Sequence, residues 1–282
     1  MTAVDRWVAH LDREGSTRAV GLMRVGTGLL LWSRWASEMM PIRAMELDRL
    51  ALSAAFYVTS TLMVVGLGTR WSVPATALVM TVVVGGYGLD SVEDWGHHHT
   101  ALQMLAVWWL ALTPSGRSWS LDRLLAVRRA EAVGDPWPKE EGPLWAVPLL
   151  GIQVCVLYLW SLVDKLQNGM HTGVQLEQLS MFYVFGGLPP DGLGWMYQGM
   201  AWAVLVLELL LPFGLWSRRW QGLCATVGIA MHLAFYVIIP VNTFSMQMIV
   251  LYLAFFDPAL VHRTIDRLLG YRTPSDTEGV KG

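Results

Sequence analysis

The chain of 282 residues is short of cysteine, of lysine and of charge. Its two cysteines, Cys155 and Cys224, fall in separate apolar stretches with no CxxC partner. Two such thiols exclude a disulfide framework and a structural zinc motif, and each reads as a small buried apolar side chain. Charged residues make up 15% of the chain, against about 25% in soluble domains, which excludes an ordinary water-soluble fold. The net charge is −2, and there is no basic patch, zinc-finger spacing or P-loop, so nucleic-acid binding has no support. GxSxG is absent, and no Ser–His–Asp arrangement can be argued. Lysine is the scarcest charge. Of three, Lys139 and Lys281 stand in polar stretches and Lys165 closes an oily one, in SLVDKLQNGMHTG.

What is present is apolar: 54% of the residues are hydrophobic, with fifteen tryptophans of the kind that collect at membrane interfaces. A span needs about 20 mostly apolar residues. Runs near 18–37, 50–68, 72–89, 98–113, 143–163, 193–215, 220–239 and 243–257 qualify, the last being short. The stretch 174–187 is too short to cross and reads as a re-entrant or interfacial helix. The expected fold is an all-α integral membrane protein of about eight transmembrane helices, in one domain over 18–260. A cytoplasmic segment 1–17 precedes it, and a partly disordered cytoplasmic tail 261–282 follows. No cleavable signal peptide is expected, because the first fifteen residues are polar and mixed in charge.

Placing the N- and C-termini in the cytoplasm puts fifteen of the twenty basic residues in cytoplasmic segments. Lys165 then falls at the outer end of the fifth span, with His97, His98 and His99 on the same side. The longest soluble stretch, 114–142, contains SLDRLLAVRR; Ser120 is its N-cap, and an apolar stripe predicts an amphipathic helix lying on the bilayer.

Charge at bilayer depth costs at least about 2.5–3.5 kcal/mol on insertion scales, so each such group needs a reason. Lys165 either snorkels to the outer headgroups beside a solvated Asp164, or holds its amine in an apolar pocket where a neutral base is favoured. Tyr158, seven residues earlier, shares its helix face. Glu208, in AWAVLVLELLLPFGLW, is either half of a buried structural pair, with Arg24 as a candidate partner, or a site group. His232, in GIAMHLAFYV, is either a helix–helix contact or a ligand-binding group. Three adjacent histidines point about 100° apart on a helix and do not share a face, so no metal site is expected at WGHHHTALQM; His99 is the one expected to turn inward. A haem held between His99 and His232 ranks low.

Several stretches, in order, are similar to one known family: Arg24 followed by GTGLLLW, HHHTALQM, SLDRLL, a span with Gln153 leading to DKLQNGMHTG-x-x-L-E-x-L, VLELLLP, and MHLAFYVIIPVNTFSMQMI. Together, over about 15–260, they resemble the membrane domain of vitamin K-dependent gamma-carboxylase and its bacterial relatives. The resemblance implies a membrane enzyme that uses reduced vitamin K, a phylloquinol or menaquinol, with O2 and CO2 as co-substrates. Epoxidation of the quinone would drive carboxylation of glutamate or a related peptide modification. It implies Lys165 as the base, His99 and His232 as catalytic groups that polarise or relay protons, and Tyr158, Glu208, Arg24 and Gln153 around the cofactor. The implied site faces the extracytoplasmic side of a bacterial inner membrane, in agreement with the arginine bias. Two departures stand out. Met170 occupies the place of an expected tryptophan, and the lumenal propeptide-binding domain of the animal enzyme has no counterpart here. The alternative is a non-catalytic membrane partner that matures a secreted peptide with a separate soluble subunit. Membrane lipid and quinone are the expected partners, with a secreted peptide or a separate soluble subunit beside them.

Overall fold

The computed structural model describes residues 14–40, 47–87, 98–187, 191–238 and 242–270, without side-chain detail at 86, 87, 98, 99, 238 and 242. It is mostly helical. In chain order the elements are β1 (Glu14–Ser16), α1 (Arg18–Trp35), α2 (Leu47–Val65), α3 (Thr69–Thr81), α4 (His98–Ala111), α5 (Leu121–Val133), β2 (Glu141–Pro143), α6 (Val147–Gln167), α7 (Val174–Ser180), α8 (Gly194–Trp216), α9 (Gln221–Ile238), α10 (Asn242–Leu251) and α11 (Pro258–Leu269). Each of the eight apolar runs contains a helix. Among the described residues, three are long and apolar enough to cross a membrane: α2, α6 and α8. Thr243–Ala254 and Pro258–Leu269 make a fourth if that pair, bent by 109°, is one span.

These helices turn apolar groups outward. Only 28% of the apolar window of α6 is buried, and Trp160, Phe213 and Val237 are 65–72% exposed. Water would penalise such a surface and lipid does not, so the bundle belongs in a membrane. Inside, α10 packs against α1, α4, α6 and α9 and joins the two halves of the bundle. Small residues permit the close approaches, as expected where no hydrophobic effect drives helices together. A Cβ at Gly28 would lie 2.6 Å from Val64 on α2, and one at Gly26 would lie 2.9 Å from Val250 on α10.

One end of the bundle is tied into a cap. β1 pairs antiparallel with β2, Glu14 opposite Pro143, a two-stranded ribbon that an all-α reading does not anticipate. Arg18 pairs with Glu140 and Asp266, and Ser16 Oγ bonds His262 Nδ1 at 2.8 Å. The start of the chain, the 114–146 segment and α11 therefore meet at one end. α5 begins at Ser120, whose hydroxyl accepts from Arg123 N at 2.9 Å. The expected stripe on α5 is not clean. Leu121, Leu124 and Leu125 are exposed, but Arg128 shares their face, while Asp122 and Arg123 turn into the loop.

Sequence reading starts the fifth span at 143 and ends it at 163. Residues 141–143 belong to the ribbon, and the helix starts at Val147, with Pro148 in its first turn. It continues through Asp164 and Lys165 to Gln167, and Gly169, at φ +71°, ends it. Lys165 is thus a helical residue in the last turn, at the end of α6 away from the cap. The 1–13 segment and the tail after Gly270 lie outside the described residues.

Candidate functional site

Two residues four apart on α6, Ser161 and Lys165, stack on one face. Opposite them, in the middle of α8, stands Glu208. Lys165 Nζ donates to Ser161 Oγ at 2.6 Å and to Glu208 Oε1; Ser161 Oγ donates to the same Oε1 at 3.0 Å. The carboxylate is buried, with its side chain 4% exposed, while that of lysine is 22% exposed. The partner of Glu208 is therefore Lys165, which corrects the pairing with Arg24 considered from sequence. The lysine does not reach out to headgroups beside Asp164: its amine turns inward, and Asp164 bonds Asn168 at 3.0 Å. Glu208 Oε2 is buried and has no hydrogen-bond partner among the described residues.

Beside the triad lies a cavity of about 400 Å³. Ser161, Asp164, Lys165, Asn168 and Gln175 make its polar side; Leu157, Trp160, Leu176, Leu179, Phe235 and Phe244 make its apolar wall. The Lys165 amine also sits 5.9 Å from the centre of the Phe235 ring.

A second polar cluster stands behind that aromatic wall. Tyr158, two turns before Lys165 on α6, bonds His232 Nε2 on α9 at 2.6 Å, and its hydroxyl also meets that of Tyr252, which follows α10. All three side chains are buried. The His232 ring lies 6.0 Å from Phe235 and 6.1 Å from Phe244, both of which line the cavity. His232 Nδ1 has no partner among the described residues. Gly228, one turn before His232, makes room for Tyr252, since a Cβ there would lie 2.2 Å from the tyrosine oxygen.

Of the residues singled out from sequence, Lys165, Glu208, Tyr158 and His232 converge. Arg24 and Gln153 do not join them, and the His99 side chain lies outside the described residues. Arg24 is fully buried at the capped end, donating to the carbonyls of Met63, Val64, Ser115 and Trp119. Its fork is held by backbone that α2 and the 115–119 turn present, and Arg24 is not among the residues that line the cavity beside Lys165. Gln153 lies twelve residues before Lys165, about 18 Å along α6, and its buried amide has no partner among the described residues. His99 lies in the first turn of α4, and its side chain is outside what the structure describes. Ser161 and Tyr252 were missed. The i−4 spacing from Lys165 was the available signal for Ser161; nothing in the run IVLYLAFF marked Tyr252. Among the described residues no three His, Cys, Asp or Glu side chains converge as a metal site.

A helical bundle with an apolar exterior, a lysine paired to a buried glutamate and a cavity beside the pair is a membrane protein built around a polar site. The HTTM domain model matches residues 37–259, and the chain belongs to that family, whose domain is that of vitamin K-dependent gamma-carboxylase. The matched range includes Lys165, Glu208, His232 and Tyr252, while Arg24 precedes it. No curated protein and no solved structure matches the chain.

Proposed function

We propose that this protein is an integral membrane enzyme that uses reduced vitamin K, as a phylloquinol or menaquinol, with O2 and CO2 to modify glutamate in a peptide substrate. The observation that carries this reading is the Lys165 amine at the wall of a largely apolar cavity, bonded to a buried carboxylate. The residues present fit such a group. A volume of about 400 Å³ is within the range of small-molecule pockets. The wall of Trp160, Phe235 and Phe244 suits a flat ring with an apolar tail, and Lys165, Asn168 and Gln175 on its polar side are partners for a hydroxyl. When bound, the hydroquinone with oxygen would supply the driving force for removing a glutamyl proton.

In this reading Lys165 Nζ takes up a proton, and Glu208 Oε1, joined to it directly and through Ser161 Oγ, balances the charge. Nζ is bonded directly to Oε1, so the base is the pair rather than the amine alone. Tyr158 and His232 fix the aromatic wall from behind and offer a proton path. His99 is kept in this reading as a further catalytic group. The eight helices would cross a bacterial inner membrane, with the capped end cytoplasmic and the Lys165 end extracytoplasmic; the arginine distribution supports that orientation.

The test uses purified protein supplied with reduced vitamin K and oxygen, with the epoxide read by chromatography. Epoxide from the wild type that is lost in Lys165→Ala is expected. Epoxide unaffected by that change removes Lys165 as the base. Folded protein that makes none, yet retains a soluble subunit, would instead have the maturation role.

A further inference from the structure

We infer that the capped end of the bundle holds a second site, one that binds a phosphate group carried by an anionic lipid headgroup or free in solution. It is independent of the chemistry proposed at Lys165. Between the start of α3, the 113–117 turn and the first half of α5 lies a cavity of about 660 Å³. Four cations line it, Arg70, Arg117, Arg123 and Lys139, against a single carboxylate, Asp122. That carboxylate is already engaged: it accepts from Gly68 N, Thr69 N and Thr69 Oγ1, all at 2.8 Å. Glu140, which comes within 3.8 Å of Arg123, is bound by Arg18.

Arg117 and Arg123 each place one Nη1 on a loop carbonyl, of Glu141 and Pro138 respectively. A guanidinium has five N–H donors, so each fork is anchored and still has donors to offer. Arg70 is held beside the Trp71 ring at 5.6 Å. Lys139 is exposed and comes within 4.0 Å of Glu141, so the anchored arginines carry the site, and arginine forks are the donor set that recognises phosphate.

The surroundings favour a headgroup as the source. Trp71, Trp119 and Trp137 are 39–74% exposed around this cavity, and Leu121, Leu124 and Leu125 are each at least 40% exposed beside it. Exposed indoles mark the level where acyl chains meet headgroups. A basic pocket at that level lies where anionic lipids concentrate.

The experiment follows thermal unfolding of the protein in neutral detergent at constant ionic strength. Short-chain phosphatidylglycerol, phosphatidylcholine of equal chain length and inorganic phosphate are titrated in turn. Phosphatidylglycerol is expected to raise the unfolding midpoint more than phosphatidylcholine. The variant Arg70→Gln/Lys139→Gln, which keeps the Arg117 and Arg123 bonds to the loop and removes only an exposed Lys139–Glu141 contact at 4.0 Å, should need about tenfold more phosphatidylglycerol for the same shift. Arg129→Gln, on the same surface but outside the cavity, should respond as the wild type does. A rise with inorganic phosphate as well marks a soluble phosphate as the source, and its absence marks the lipid. Equal protection by the two lipids, an unchanged response in the double variant, or an equal loss in Arg129→Gln overturns the proposal.

Discussion

Lys165 and Glu208, 43 residues apart in sequence, meet through Nζ and Oε1, and Ser161 Oγ is bonded to both. The second oxygen of the same carboxylate has no partner among the described residues. One oxygen of Glu208 thus holds both the lysine and the serine while the other is buried beside them. A buried pair of this kind adds little stability over an apolar replacement, but breaking it by removing one partner costs about 3–5 kcal/mol. Lys165→Met should therefore lower the unfolding midpoint markedly, and Lys165→Met/Glu208→Leu should recover most of the loss while remaining inactive. Scanning calorimetry of the two variants in detergent checks this. A double variant as unstable as the single one would show that the pair does more than satisfy itself.

The contact between Gly228 and Tyr252 yields a second prediction. Gly228→Ala drives a methyl into the space of the Tyr252 oxygen, which must leave Tyr158. Tyr252→Phe removes that oxygen and keeps the ring. Each single change should cost about 1–3 kcal/mol by overpacking or by a lost hydrogen bond. Because the two act on one atom, the double variant should be less destabilised than the sum. A double-mutant cycle on unfolding free energy measures that coupling, and strict additivity would contradict it.

Much of this arrangement was legible in the sequence. A lysine, a glutamate and a histidine inside oily runs had to be paired or functional, and three of the four groups that converge were those. Tyr158 followed from its seven-residue spacing to Lys165. What the sequence hid was partner choice. Arg24 and Glu208 are both buried charges, but the rise of α1 and α8 sets them at different levels, and an arginine can be satisfied by carbonyls alone. Tyr252 was illegible because its hydroxyl matters only through helices 94 residues apart in the chain. Helices were legible run by run, while which of them cross was not. Periodicity and oiliness locate helices, whereas crossing depends on length, and breaks such as the one between Ala254 and Pro258 do not show in hydropathy.

Asp122 sets the pH response of the capped end. Burial alone would raise its pKa; the hydrogen bonds from Thr69 and Gly68, together with the charge of Arg24, outweigh burial and hold it below the ordinary aspartate value. A carboxyl whose native pKa is depressed stabilises the fold above its unfolded pKa, and that contribution is lost as pH falls through the native value. Unfolding midpoints of the wild type should thus decline as pH drops below the ordinary aspartate range. In Asp122→Asn that part of the decline should vanish, with a lower midpoint at neutral pH. The neutral-pH loss follows because Gly68, the residue that starts α3, has no side chain of its own to cap it, and Asp122 supplies the acceptors.

Arg24 separates a structural from a cofactor role. Its guanidinium is fully buried and binds four backbone carbonyls from α2 and the 115–119 turn. Leaving buried acceptors unpaired costs about 1–3 kcal/mol apiece, so Arg24→Met should destabilise the capped end severely. Lysine has one point charge in place of a planar fork and should restore only part of the loss. Because none of the residues that Arg24 bonds lines the Lys165 cavity, whatever Arg24→Lys protein remains folded should, on the proposed function, show an unchanged KM for quinol. Hydrogen exchange localised to 60–70 and 114–122, measured alongside that KM, distinguishes the two roles. A raised KM with normal protection there would return Arg24 to the cofactor site.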